Sequence, residues 1–184
     1  MTKVQVSLFD TGMNPVFSFP PIAAPDARVL ILGSMPGVAS LTAQRYYAHP
    51  QNRFWPIMGE LLGFDPALPY AARCTRLTAA GIAVWDVLQS CVRPGSLDAD
   101  IDAASSVPND FANFFTAHPQ IRSVCFNGGT AKALFRRHVL PGLGMPELSY
   151  TSLPSTSPAH AGMRPAEKLQ VWRSALDGPL QRSS

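Results

Sequence analysis

Apolar residues gather in four short runs along the chain, each closed by a residue that favours a turn or carries a polar group: 29–32 before Gly33, 82–85 before Asp86, 124–126 before Asn127 and 148–153 before Pro154. Uninterrupted apolar runs of this length suit strands buried on both faces. Between them the spacing becomes helical. Phe54, Met58, Leu61 and Leu62 share a stripe over 54–62, and further helical patterns cover 111–117 and 130–138. A last one spans 166–176, introduced by Pro165, with Leu169, Trp172 and Leu176 on one face. Strand and helix alternate, which predicts an α/β fold, a parallel sheet of about four strands with helices on both faces. Ligands of such sheets bind beyond the carboxyl ends of the strands, so the polar residues at those ends are the first candidates for chemistry. Residues 1–27, broken by Pro15, Pro20, Pro21 and Pro25, read as an irregular N-terminal arm, and 28–184 as the domain proper.

Composition narrows the class. With 46% hydrophobic and 15% charged residues over 184 positions, the chain has the apolar surface for one buried core, which excludes a disordered tract. Eighteen prolines, about twice ordinary usage, predict rigid connections. Cys74, Cys91 and Cys125 are scattered with no CxxC pair, so they suggest neither a disulfide framework nor a zinc or iron–sulfur site and read as small buried hydrophobes. No run approaches the roughly 20 apolar residues of a membrane helix, and the opening MTKVQVSLFD lacks the apolar core of a secretion signal. The expectation is a cytoplasmic protein with no membrane partner. Its net charge of +3 is compatible with a polyanionic partner without demanding one.

The strand ends carry the candidate chemistry. The first runs into Gly33-Ser34-Met35-Pro36-Gly37, a turn that lets backbone approach a ligand closely. It contains neither a dinucleotide fingerprint nor a phosphate-binding G-K-[ST]. Arg45 to Trp55 crowds aromatics, a histidine and two arginines together, a mixture suited to stacking on bases and meeting phosphates. Asn52 within it is equally suited to capping the helix that follows. Asp86 and Asn127 are single polar groups at strand ends and of types common in turns. The stretch from Leu153 to Gly162 sets small hydroxyl residues between prolines, and Ser155 and Ser157 can grip phosphates there.

Side by side, VLILGSMPG, YYAHPQNRFW and LPSTSPAHA resemble the uracil-DNA glycosylase superfamily over about residues 25–177. The middle segment is similar to the AHPxNRFW run of mismatch-specific uracil glycosylases. The other two resemble the hypoxanthine-DNA glycosylase (DNA-deoxyinosine glycosylase) branch. The resemblance implies a three-layer α/β/α sandwich with a four-stranded parallel sheet and no metal or other cofactor. It further implies DNA carrying a deaminated base as partner, from which the enzyme flips the damaged nucleotide and hydrolyses its N-glycosidic bond. Hypoxanthine is the expected base, with uracil and xanthine as further candidates. Many members place Asp or Asn in the first turn to position water, whereas this chain has Met35, which cannot do so. The hypoxanthine branch shifts that work to the asparagine of the AHPxN segment, Asn52, and implicates a second asparagine in the FNG turn, Asn127; Asn127, which presents a donor or an acceptor, and Asp86, an acceptor while ionised, are the candidates for reading the base edge. Tyr47 matches the aromatic that stacks on the flipped base, and Ser34, Met35, Pro36 and Asp86 complete the base pocket. Ser155, Ser157 and His160 belong to the loop that grips the backbone, with His160 as donor or wedge. A nucleic-acid-binding member that has lost hydrolysis is the alternative. A small-molecule hydrolase using Ser34 and His160 lacks a G-x-S-x-G elbow. One damaged nucleotide needs one pocket, so a monomer is expected.

Overall fold

The computed structural model describes residues 14–145 and 147–181. The four apolar runs form β2 (Val29–Gly33), β3 (Ile82–Asp86), β6 (Ser123–Asn127) and β7 (Ser149–Leu153). All are parallel, in the order β3-β2-β6-β7. β2 and β3 are buried along their whole length, which is why their sequences run apolar instead of alternating. After β2 the chain moves to one side for β3, then crosses back over β2 to lay down β6. This reversal opens a crevice beyond the ends of β2 and β6, the position where ligands of open α/β sheets sit.

The helices cover both faces. α2 (Phe54–Leu62) and α7 (Pro165–Gln181) pack on one, where Phe54 meets Trp172 edge-to-face at 6.1 Å. α4 (Phe111–Ala117) and α5 (Gly129–His138) pack on the other against Trp85 and Phe126. The α2 stripe is rotated from the expected one: Phe54 and Met58 are buried as anticipated, but Trp55 and Ile57 are buried in place of Leu61 and Leu62. Trp55 turns inward because its indole N–H donates to the Tyr46 carbonyl at 2.9 Å. Cys91 and Cys125 are buried and all three thiols are free.

Three helices lie outside the sequence expectation: α1 (Val38–Ala43), α3 (Tyr70–Ala79) and the single turn α6 (Leu140–Leu143). So does a small antiparallel sheet of β1 (Val16–Phe17), β4 (Leu88–Cys91) and β5 (Val107–Pro108). Of the expected 1–27 arm, residues 1–13 lie outside the described residues. Val16 and Phe17 pair with β4, and Ile22 bridges Val84 on the free side of β3, so this stretch covers a sheet edge. No helix among the described residues is long and apolar enough to cross a membrane.

Candidate active site

The last row of the sheet carries polar groups. Gly33 pairs in register with Asp86, and Asn127 with Leu153, one residue beyond the row holding Leu32, Trp85 and Phe126. Strand alternation points this row away from α4 and α5, toward the face that α2 covers. A Cβ on Gly33 would lie 2.5 Å from Asp86 Oδ1 and 3.2 Å from the Tyr47 hydroxyl. Only glycine lets the carboxyl and the phenol converge over this strand end. A cavity of about 340 Å³ opens there, and Ser34, Met35, Pro36, Tyr47, Asn52, Asp86, Asn127, Ser155, Ser157 and His160 all line it. Every residue singled out from the sequence therefore shares one cleft.

The first turn is braced from the segment after β4. Arg93 is buried and donates to the Pro36 carbonyl. Its Nη1 lies 3.7 Å from Asp98, which in turn accepts the Ser34 hydroxyl at 2.7 Å. Ser34 thus spends its proton on Asp98, and the Ser34–His160 pairing that a serine hydrolase needs is not made. Met35 is buried and presents an apolar side chain to the cleft.

Tyr47 stands at φ 56°, a left-handed conformation that non-glycine residues seldom adopt. The Tyr70 hydroxyl accepts Tyr46 N–H at 3.1 Å, and Ser40 Oγ accepts Ala48 N–H at 3.1 Å, so both flanking residues are pinned. The Tyr47 ring stacks on Phe54 at 4.1 Å and 24° and lines the cavity. Burial, then the charge of Asp86, raises its pKa and keeps the phenol protonated.

Asn52 accepts the Phe54 N–H through Oδ1 at 2.9 Å, so from one residue before the N-cap Arg53 it satisfies the first N–H of α2. That bond also fixes the amide. The second Oδ1 lone pair and the Nδ2 protons remain for a water or a substrate. Asn127 is held from two sides by Thr156, whose N–H donates to Oδ1 at 2.9 Å and whose Oγ1 accepts from Nδ2 at 2.9 Å. Thr156 is 1% exposed, and its carbonyl accepts Arg53 N–H at 3.0 Å, joining β6, the loop after β7 and the start of α2. The sequence singles out its neighbours Ser155 and Ser157 but not Thr156. The usable signal was alternation, since flanking serines that face a ligand turn the residue between them inward. Thr156→Val keeps the shape and the backbone bond to Oδ1 but leaves Asn127 Nδ2 without its acceptor, a loss of about 1–3 kcal/mol. Thermal denaturation should show Tm lower by about 2–12 °C, and an unchanged Tm would contradict the bridging role.

The loop between β7 and α7 is built to present hydroxyls. Ser155 Oγ accepts Ser157 N–H at 3.1 Å and Ser157 Oγ accepts Ala159 N–H at 3.2 Å, so each hydroxyl proton is left to donate outward. Lys168 and Trp172, four apart on α7, grip the loop from behind. Lys168 Nζ donates to the Ser155 and His160 carbonyls at 2.6 and 3.2 Å, and Trp172 Nε1 to the Pro154 carbonyl at 3.0 Å. Lys168 is itself buried, and that burial lowers its pKa. Both donors fall on the apolar stripe of α7, where a lysine is out of character and would have marked the contact. His160 is exposed at the rim.

Asp86 is 4% exposed and its Oδ2 has no hydrogen-bond partner among the described residues. Burial first, and the neighbouring Asp98 second, push its pKa up to about 7 against the pull of Arg93. Among the described residues no three His, Cys, Asp or Glu side chains gather as a metal site.

The family model described as the uracil DNA glycosylase superfamily matches residues 20–176. A protein named hypoxanthine DNA glycosylase from Methanosarcina acetivorans is 34% identical over 143 residues, covering 77% of this chain and 86% of its own length. A protein of the same name from Methanosarcina barkeri is 35% identical over 111 residues, covering 60% of this chain and 69% of its own. A solution NMR structure from M. acetivorans, provisionally assigned as a uracil DNA glycosylase, superposes with a TM-score of 0.72 at 30% identity, over 89% of this chain and 99% of that one.

Proposed function

This chain belongs to the uracil DNA glycosylase superfamily, and from that premise we propose that it is a monofunctional, hydrolytic DNA glycosylase that releases hypoxanthine from deoxyinosine in DNA. The observation that carries this reading is the shared cleft: the first turn, the Tyr47–Asn52 segment, Asp86, Asn127 and the Ser155–His160 loop meet around about 340 Å³. That space lies at the small end of ligand pockets and suits one flipped nucleotide. The names of the two Methanosarcina relatives point to the same base.

Cleaving a nucleoside bond leaves an oxocarbenium-like sugar and a base that gathers negative charge. A dissociative route asks little of a nucleophile, and the first turn and AHPxN segment supply no carboxylate of the kind glycosidases place against the sugar. Asn52, locked by its bond to Phe54, holds the water that captures the sugar cation. Tyr47 stacks on the base, worth roughly 1–3 kcal/mol toward extrusion. Met35 and Pro36 form an apolar wall, and Asn127, braced by Thr156, stands at the polar edge of the base. The Ser155 and Ser157 hydroxyls meet the phosphates while His160 stands at the mouth of the vacated stack. Uracil and xanthine carry the same N–H and C=O edge, which makes them secondary substrates. The pocket is complete in one copy, so a monomer suffices.

Duplexes carrying a single deoxyinosine, deoxyuridine or deoxyxanthosine, incubated with excess protein and then heated in alkali, should break at the lesion, fastest at deoxyinosine. Strands that bind but stay intact at all three bases would replace this reading with that of a DNA-binding member without turnover.

A further inference from the structure

We propose that Asp86 meets the flipped base as a neutral carboxylic acid, donating to its ring carbonyl, and that Asp98 is the positioning residue that keeps it so. The inference rests on the glycosylase reading and specifies how that site handles a base with a C=O beside an N–H.

The geometry around Asp86 favours the uncharged form. Its carboxyl lies at the cavity floor over Gly33, 4% exposed, with Oδ2 unpartnered. A carboxylate there would have lost its water and gained no donor. The charged and titratable groups that act on it are few. Arg93 is the cation, but its guanidinium is turned to the Pro36 carbonyl and to Asp98. Asp98 adds a negative charge of its own, with Ser34 donating to it. Among the described residues Tyr46 and Tyr47 are the remaining titratable neighbours, burial keeping both phenols protonated, while His49 and His160 line the same cavity. Asp98 thus occupies the one counter-ion Asp86 would need. The resulting pKa, about 7, places the switch within reach of experiment.

The neutral acid also fits the chemistry better. A carboxylate offers two acceptors, one of which would confront the base's carbonyl lone pairs. A carboxylic acid offers one donor and one acceptor, the complement of C=O beside N–H. As the C1′–N bond breaks, its electron pair passes into the base and onto the carbonyl oxygen, where the Asp86 proton is waiting. The hydrogen bond therefore strengthens toward the transition state. Asp86 hands its proton to that oxygen, and water adds to C1′. The proton released from that water returns to Asp86. One water is consumed, its hydroxyl on the sugar and its hydrogen on the base.

Single-turnover release from a deoxyinosine duplex at saturating protein, measured from about pH 6 to 9, tests this. The wild-type rate should fall as pH rises through the Asp86 pKa. D98N removes the neighbouring charge and frees Arg93, so the limb should move down by about one pH unit. D86N keeps a donor and an acceptor without a proton to lose, and should be about tenfold slower near pH 6 but flat to pH 9. If D98N fails to fold, the flat D86N profile carries the test alone. A wild-type rate that climbs with pH, a D98N limb that stays in place, or a D86N profile retaining the wild-type limb overturns the proposal. No release by wild type at any pH would instead contradict the glycosylase reading itself.

Discussion

Replacing Asn52 with alanine should slow base release about 10²–10³-fold while leaving affinity for lesion-bearing DNA within a few-fold of wild type. The side chain performs two tasks that this substitution removes together. It caps α2 through the Phe54 N–H at 2.9 Å, and it faces the cleft where the sugar must be met by water. Losing the cap costs about 1 kcal/mol of stability, far short of the expected loss of rate. Serine separates the tasks, because it caps helices well but is too short to hold a water at the same point. Asn52→Ser should recover the wild-type Tm and remain slow. Recovery of rate together with Tm would make Asn52 a helix cap and nothing more.

Gly33→Ala should cost about 10²-fold in rate, the scale of effect expected when a catalytic group is misplaced by about 1 Å. The new methyl would lie 2.5 Å from Asp86 Oδ1. Asp86 is a short side chain, 4% exposed, whose free space is the cavity meant for the base, and Tyr47 closes the other side at 3.2 Å. The carboxyl or the phenol must leave its place at the strand end. Gly142→Ala serves as comparison, since a Cβ there meets nothing within 4 Å, and its rate should stay near wild type. Single-turnover rates and Tm for the two variants decide the matter. A Gly33→Ala protein within threefold of wild type would show that the Asp86–Tyr47 convergence is not needed for turnover.

The sheet was readable in the chain because β2, β3 and β6 are buried on both faces and so stand out as apolar runs closed by Gly33, Asp86 and Asn127. The helices with strong stripes were readable for the same reason. α3 was not, because only Leu77 of its ten residues is buried, and its stripe of Tyr70, Cys74 and Leu77 is a single residue wide among Ala, Thr and Arg positions. β1, β4 and β5 are two to four residues long, too short for alternation to register, and exist through pairing between distant segments. The site divides similarly. Tyr47, Asn52 and Asn127 sit in motifs with a family likeness, and topology alone brings strand ends together. Thr156, Lys168, Arg93 and Asp98 act by bracing other groups across the fold: the first two leave only a faint local mark, alternation between serines and a lysine on an apolar stripe, and nothing local in the sequence announces Arg93 and Asp98.

The central claim is that this cleft hydrolyses a bond between deoxyribose and a deaminated base. The most direct measurement is the quantity of free hypoxanthine released from a duplex with one deoxyinosine, followed against the number of abasic sites formed in the same sample. One free base is expected per abasic site, with the strand unbroken until alkali is added. Bound DNA that yields no free hypoxanthine, or strand cleavage that leaves the base attached to its sugar, would contradict it.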